Sequence, residues 1–329
     1  MLIDPYKRPV NYLRVSVTDR CDFRCQYCMA ENMKFLPKKD LLSLDEIERI
    51  CLTFIKLGTK KIRITGGEPL VRKNVMSLFK NLGQFILKDK LSELTLTTNG
   101  SQLEKYAEQL FEYGVRRINV SIDTLKPQLF KSLTRRGDLD QVIKGIDKAL
   151  AVGLKIKINT VALKETNEFE LTELLKWAHS KKCDITFIET MPLGEIDVDR
   201  TDQFLPLYKV KETLSQKYTL NSSKHYTGGP SRYFNIQETG HRVGFITPLT
   251  HNFCELCNRV RLTCTGKLYM CLGQEDSADF KDAARSINWE IDLKNAIVEA
   301  ISRKPKGHDF VIRRKHSPSV NRHMSVTGG

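Results

Sequence analysis

A strand-then-helix rhythm across the first two thirds of the sequence restricts the fold more than any other feature. Runs rich in Ile, Val, Leu and Thr fall at 12–17, 61–65, 93–98, 117–122, 155–161 and 184–188, each of strand length. Helical patterns lie between them. Ile47, Ile50, Cys51 and Phe54 recur at the spacing of one buried helix face, as do Leu103, Tyr106, Ala107 and Leu110, and Leu171, Leu174, Leu175 and Ala178. Ser43 with Glu46, and Ser101 with Glu104, have capping-box spacing. Gly58, Gly114 and Gly153 stand where helices need a left-handed stop. Six such units predict an α/β fold with parallel strands and right-handed crossovers. A doubly wound sheet and an incomplete TIM-type barrel both satisfy this rhythm.

In either architecture chemistry belongs at the C-terminal strand ends. The residues there are Cys21 to Cys28, Gly66-Gly67-Glu68-Pro69, Thr98-Asn99-Gly100, Ser121 to Asp123, Asn159 and Glu189 to Met191, which read together as one site. After Gly194 the rhythm breaks. An acidic linker is expected at 197–202, an amphipathic helix at 207–214, a Gly-Gly-Pro turn at 228–230, and strands at 231–236 and 242–246. The expected division is therefore a first domain of residues 1–194 and an extension of residues 195–329 packed on it. The polar, basic stretch 313–329 is expected to be mobile without a ligand.

The chain has nine cysteines in 329 residues. An odd number without an export-type leader argues against a disulfide framework. Cys51 lies on an apolar helix face and reads as packing. Cys21, Cys25 and Cys28 put three thiols within eight residues, too few to close a structural zinc site but suited to an iron–sulfur cluster with one open iron. Cys254, Cys257 and Cys271 form a second three-thiol set. Cys264 lies between them, so a four-thiolate zinc site is the alternative there. The net charge of +14 fits either a lysine-rich surface or a polyanionic ligand, whether nucleic acid or a phosphate ester. A Walker-type phosphate loop is absent, which excludes a P-loop GTPase. No apolar run approaches the ~18 residues of a membrane span, and a cytoplasmic location is expected.

Cys21-x3-Cys25-x-Tyr27-Cys28 with Gly66-Gly67-Glu68-Pro69 resembles the radical S-adenosylmethionine superfamily. That resemblance implies a 4Fe–4S cluster whose open iron chelates S-adenosylmethionine, and one-electron cleavage to a 5′-deoxyadenosyl radical. It also favours the partial barrel of about six βα units. Glu68 is expected to accept from an ammonium group. Further residues resemble the GTP 3′,8-cyclase family of molybdenum cofactor biosynthesis: the second cysteine set, Arg259 and Arg261, Arg14, the run from Lys61 to Pro69, Thr97 to Gly100, Asn119 to Asp123, Ile188 to Met191, and the Gly328-Gly329 tail.

The family likeness implies that the extension carries a second 4Fe–4S cluster on Cys254, Cys257 and Cys271. It implies S-adenosylmethionine contacts from Tyr27, Gly67, Ser121 and Met191. GTP contacts would come from Arg14, Arg63, Thr97, Lys157, Arg259 and Arg261, with Lys61 a weaker candidate. Arg259, Arg261, Gly328 and Gly329 would act at the reacting centre. Implied partners are GTP, an external electron donor and a downstream pterin-forming enzyme. Neither a membrane nor a nucleic acid is expected, and a homodimer is one compatible assembly. The chain departs from the family in having Thr186 where an arginine is common. The rival readings are a radical enzyme that modifies a peptide or RNA, and a zinc-stapled nucleic-acid-binding protein.

Overall fold

The computed structural model describes residues 1–196, 199–251, 253–312 and 318–328. Strands β1 (Tyr12–Ser16), β2 (Lys61–Thr65), β3 (Glu93–Thr98), β4 (Arg117–Ser121), β5 (Lys155–Val161) and β6 (Asp184–Ile188) pair in chain order, all parallel. Six helices connect them: α1 (Leu44–Lys56), α2 (Val75–Leu87), α3 (Leu103–Glu112), α4 (Pro127–Thr134), α5 (Leu139–Ala151) and α6 (Leu171–Ser180). The chain thus has the α/β, parallel-rich sheet expected from its rhythm.

Local signals account for most of these elements. The Ser43 hydroxyl accepts from the Glu46 amide at 3.0 Å, and the Glu46 carboxylate accepts from the Ser43 amide at 2.7 Å, so α1 starts at a complete capping box. Gly58, Gly114 and Gly153 all take positive φ. The second expected capping box does not form. Ser101 instead donates to the Asp22 carboxylate at 2.5 Å, and α3 begins after Gln102 without a side-chain cap. A charge-assisted bond to a carboxylate outcompetes a backbone amide for that hydroxyl.

The strands alternate in polarity. Leu13, Val15, Ile62, Ile64, Leu94, Leu96, Ile118, Val120, Ile156, Ile158, Ile185 and Phe187 are buried beneath the helices. Each contributes roughly 1.5–3 kcal/mol by leaving water. The intervening residues of β1 to β5, among them Tyr12, Arg14, Lys61, Arg63, Thr97, Asn119, Ser121, Lys157 and Asn159, line a cavity on the other face. A parallel sheet covered by helices on both faces reads as continuous apolar runs. This one alternates because only one of its faces is packed.

The later residues extend the same sheet at both edges. Strands β7 (Leu220–Ser222), β8 (Arg232–Ile236) and β9 (Arg242–Ile246) continue beyond β6, with β9 parallel to β6. Strands β10 (Arg259–Leu262), β11 (Lys267–Tyr269) and β12 (Ser277–Asp279) continue beyond β1, with β10 parallel to β1. The full order is β12-β11-β10-β1-β2-β3-β4-β5-β6-β9-β8-β7. The remaining helices are α7 (Arg200–Gln203), α8 (Leu207–Ser215), α9 (Lys281–Arg285), α10 (Trp289–Ser302) and α11 (Met324–Thr327). Among the described residues no helix is long and apolar enough to cross a membrane.

Two sequence expectations are corrected here. The stretch expected as an acidic linker carries α7, capped by the Asp199 carboxylate on the Thr201 amide at 2.9 Å, while Asp197 and Val198 lie outside the described residues. Residues 318–328, expected to be mobile, are docked. Val320, Ser325 and Thr327 are buried, and the Gly194 amide donates to the Val320 carbonyl at 2.8 Å. Arg322 pairs with Glu275 at 2.7 Å and lies 3.9 Å over the Tyr269 ring. Buried side chains and a paired guanidinium supply the docking that the polar composition of the tail did not suggest. Residues 313–317 and Gly329 lie outside the described residues.

Candidate functional site

One cavity collects the C-terminal ends of the parallel strands. Its lining includes Cys21, Cys25 and Cys28 from the loop after β1, and Cys254, Cys257 and Cys271 from around β10 and β11. Tyr27, Gly67, Ser121 and Met191 line it too, as do Arg14, Lys61, Arg63, Thr97, Lys157, Arg259 and Arg261. The two cysteine triads and the residues expected from the family likeness to contact S-adenosylmethionine or the nucleotide therefore face one space, whereas Glu68 and Cys264 do not line it. Gly328 reaches the same space: its carbonyl accepts from Arg261 Nη1 at 2.8 Å.

The first cysteine loop is held from several sides. Its Arg24 and Gln26 amides donate to the Thr134 and Leu133 carbonyls at 2.8 and 3.0 Å, and Phe23 meets Phe130 edge-on at 5.9 Å. Asp22 takes bonds from Asn99 Nδ2 at 2.7 Å and from Ser101. Gly66 and Gly67 pass directly under the segment leading into Cys21. The Gly67 amide donates to the Thr18 carbonyl at 2.8 Å, and a Cβ at Gly67 would lie 2.4 Å from the Arg20 carbonyl oxygen. These glycines are required by close approach of two protein backbones.

Glu68 departs from expectation. Its buried carboxylate accepts from the Leu70 amide at 3.0 Å, Thr98 Oγ1 at 2.8 Å and the Asn99 amide at 2.7 Å. It ties the ends of β2 and β3 together, and protein donors use three of its roughly four acceptor sites. Burial raises it to about 8 against those three bonds.

Burial likewise pushes the Cys21 and Cys25 thiols up, and Cys28 to about 11. In the second set burial raises Cys254 and Cys271. Burial would raise Cys257 as well, but Arg259 and Lys304 outweigh it and bring that thiol down to about 7. Each set offers three sulfurs, the donor chemistry of iron–sulfur clusters. Cys264 is fully buried beside Asp19, Arg72 and Ser16 and does not line the cavity. The four-thiolate zinc alternative thus lacks its fourth sulfur. Among the described residues no group of His, Cys, Asp and Glu side chains could hold a single metal ion.

The cations sit in register. Arg261, Arg14 and Arg63 align across β10, β1 and β2, and Arg259, Tyr12 and Lys61 form the adjacent row. Arg63 donates from Nε to Tyr12 Oη at 2.6 Å and from Nη1 to Thr97 Oγ1 at 3.1 Å. Lys61 pairs with Glu93 at 2.8 Å and donates to the Thr227 carbonyl at 2.6 Å. Burial and the neighbouring Arg63 bring Lys61 down to about 8. Burial, with Arg63 and Arg259, brings Arg14 to about 10. Cations crowded in a poorly solvated space call for a polyanion. Thr186 is fully buried in register with Gly244 of β9, where a Cβ would lie 2.8 Å from Thr186 Oγ1. A longer side chain there would meet β9.

Four site residues were not given roles from the sequence. Tyr27 donates to the Asp123 carboxylate at 2.6 Å, which burial raises to about 6. Asn119 and Asn159 line the cavity, and their buried amide oxygens have no hydrogen-bond partner among the described residues. Tyr12 accepts Arg63. The signal for Tyr12, Asn119 and Asn159 was strand alternation, which puts them on the same face as Arg14, Ser121 and Lys157.

Comparisons with known proteins place the chain among its relatives. Residues 15–178 match the Radical SAM superfamily model, and residues 183–310 match Molybdenum Cofactor Synthesis C. The GTP 3′,8-cyclase of Brucella ovis is 61% identical over all 329 residues, which cover 96% of that relative. That of Sinorhizobium medicae is also 61% identical, with 94% of it covered. Among solved structures, Streptococcus suis SuiB bound to S-adenosylmethionine has a TM-score of 0.59 at 17% identity, over 97% of this chain and 77% of that one, a likeness of fold.

Proposed function

Because the chain belongs to the GTP 3′,8-cyclase family, we infer that its cavity is where that family's substrate and S-adenosylmethionine meet. The chain is a radical S-adenosylmethionine enzyme converting GTP to (8S)-3′,8-cyclo-7,8-dihydroguanosine 5′-triphosphate, the first step of molybdenum cofactor biosynthesis. The observation that carries the assignment of roles is the convergence of two cysteine triads and six cations on one cavity.

On this reading Cys21, Cys25 and Cys28 hold one 4Fe–4S cluster, and Cys254, Cys257 and Cys271 a second. When bound, the first cluster supplies one-electron cleavage of S-adenosylmethionine, fed by an external donor. Gly67 fixes the backbone beneath the first triad. Tyr27, held by Asp123, forms one wall of the S-adenosylmethionine site with Ser121 and Met191. The Asn119 and Asn159 oxygens are acceptors aimed at ligand donors.

At the other side Arg14, Lys61, Arg63, Thr97 and Lys157 hold the triphosphate, whose roughly four negative charges offset the buried cations. Arginine forks bind its oxygens in pairs. Arg259 and Arg261, with Gly328 and Gly329, orient the ribose and base. Helix α11 places Met324 and Ser325 on the lining and excludes water from the reacting groups. The sheet order supports an incomplete barrel of six βα units in residues 1–194, with residues 195–329 flanking both of its edges.

Anaerobic incubation with GTP, S-adenosylmethionine and a reductant tests the function. Chromatography coupled to mass analysis should separate a cyclised isomer of GTP, of unchanged mass, from GTP itself, together with 5′-deoxyadenosine. Recovery of unmodified GTP by iron-loaded protein would reject it.

A further inference from the structure

Resting on the GTP reading above, we propose that Tyr12 and Tyr233 are positioning residues of the triphosphate subsite: their phenols hold Arg63 and Lys157 in the nucleotide-free protein, then release them to phosphate oxygens as protons are taken up.

The two phenols occupy matching places. Tyr12 Oη accepts from Arg63 Nε at 2.6 Å, and Lys61 Nζ lies 4.8 Å over its ring. Tyr233 on β8 accepts from Lys157 Nζ at 3.3 Å, and that nitrogen lies 5.8 Å from its ring centre. Both tyrosines are buried, at 3% and 4% exposure. Each therefore sits behind a cation that has been assigned to the nucleotide.

The surroundings favour the ionised phenol. Tyr12 is faced by Arg14 on its own strand, Lys61 and Arg63 on β2, and Arg259 on β10. Burial alone would raise it, but Arg63, Arg14, Lys61 and Arg259 outweigh burial and bring it to about 7. Tyr233 is faced by Lys157 on β5, by the Thr227 and Ser231 hydroxyls, and by the His225 ring at 4.9 Å. Burial again opposes, and Lys157 with these hydroxyls brings it to about 8.

Nearby carboxylates are committed elsewhere. Glu93 serves Lys61 and Arg117. Glu189 accepts from the Leu249 amide at 3.1 Å and from the Thr250 hydroxyl at 2.5 Å. Asp123 accepts from Tyr27 and the Val161 amide. Among the described residues the phenols are thus the acidic groups bonded to Arg63 and Lys157 in the nucleotide-free protein.

A bound triphosphate takes over that task, and the phenols return toward their ordinary value of about 10. Each phenolate gains one proton from solvent, and no covalent bond to the nucleotide forms or breaks. Between about pH 7 and 10 the complex therefore holds more protons than the free protein. Affinity for the nucleotide falls as pH rises through this range.

The test is titration calorimetry at pH 8 on the full, iron-loaded chain. GTP and inorganic tripolyphosphate serve as probes, in buffers of differing ionisation enthalpy. The wild type should take up about one proton per ligand. Tyr12→Phe should remove most of this uptake, and the Tyr12→Phe, Tyr233→Phe double variant should flatten the pH dependence of affinity. Iron content and melting temperature verify that both variants fold. Equal uptake in wild type and double variant would overturn the proposal and assign the protons to Lys61 and Lys157. Failure of the iron-loaded wild type to bind either probe would overturn the GTP reading itself.

Discussion

The Arg261 guanidinium donates to the carbonyl of Gly328 at 2.8 Å, so Gly328 lies among the cavity cations. Gly328 has φ +77°, and a Cβ there would lie 1.8 Å from Thr65 Oγ1. Gly328→Val should displace the tail from Arg261. Cyclised nucleotide should fall at least about tenfold, the loss of one charge-assisted contact. Iron content and 5′-deoxyadenosine release should persist. Simultaneous assay of both products checks this.

Gly67→Ala removes no thiol, yet its Cβ would lie 2.4 Å from the Arg20 carbonyl oxygen. The segment entering Cys21 must shift. Bound iron is expected to fall from about eight to about four atoms per chain, with no 5′-deoxyadenosine formed. Full iron loading with normal cleavage would show that the loop tolerates the methyl group.

Cys28→Ala should give the same iron count by a different route, through loss of one thiolate. The remaining iron should belong to Cys254, Cys257 and Cys271. Electron paramagnetic resonance of the reduced variant should show one cluster signal, unaltered by S-adenosylmethionine and altered by GTP.

Arg259→Ala should weaken nucleotide handling by about ten- to a hundredfold in kcat/KM, the worth of a charge-assisted hydrogen bond. S-adenosylmethionine affinity should hold. Steady-state assays across GTP concentrations check the split. Lysine at 259 should restore only part of the activity, since it lacks the planar fork.

His179 offers a pH test of stability. It is buried, with Nδ1 2.7 Å from Thr239 Oγ1 and Nε2 3.3 Å from the Arg242 carbonyl. A carbonyl only accepts, so Nε2 carries the proton and Nδ1 accepts from Thr239. Burial lowers its pKa below 6.5. The unfolded chain then binds more protons than the folded one as pH falls through 6.5, and stability is lost in that direction. Melting temperature should fall less steeply from pH 7 to 5 in His179→Gln than in the wild type.

Strand positions were legible because alternating segments of five to seven residues rich in Ile, Val, Leu and Thr between helices leave little freedom, and β2, β3, β5 and β6 have the bounds read from sequence. The site was legible because its thiols and glycines have few other uses at that spacing. Three features were hidden for physical reasons. Strand β10 reads Arg-Val-Arg-Leu, and its charges disguise a strand whose polar face meets a cavity. Glu68 showed only its charge, while its three protein donors come from backbone and side chains brought close by the fold. The docking of residues 318–328 depends on Gly194, whose Cβ would lie 2.5 Å from His323 Nδ1, a contact across 129 positions that no local pattern records.

The pairing of β10 with β1 makes the first strand wait for one of the last. Asn11 and Asn258, 247 positions apart, share a hydrogen bond at 2.8 Å where the two strands begin. During synthesis β1 and β6 would stand with bare backbone donors and acceptors until β10 and β9 emerge. Such edges recruit other chains, and the long loop closure slows pairing. Released early, a fragment ending near Gly194 would aggregate through these strands, so productive folding depends on finishing the whole polypeptide.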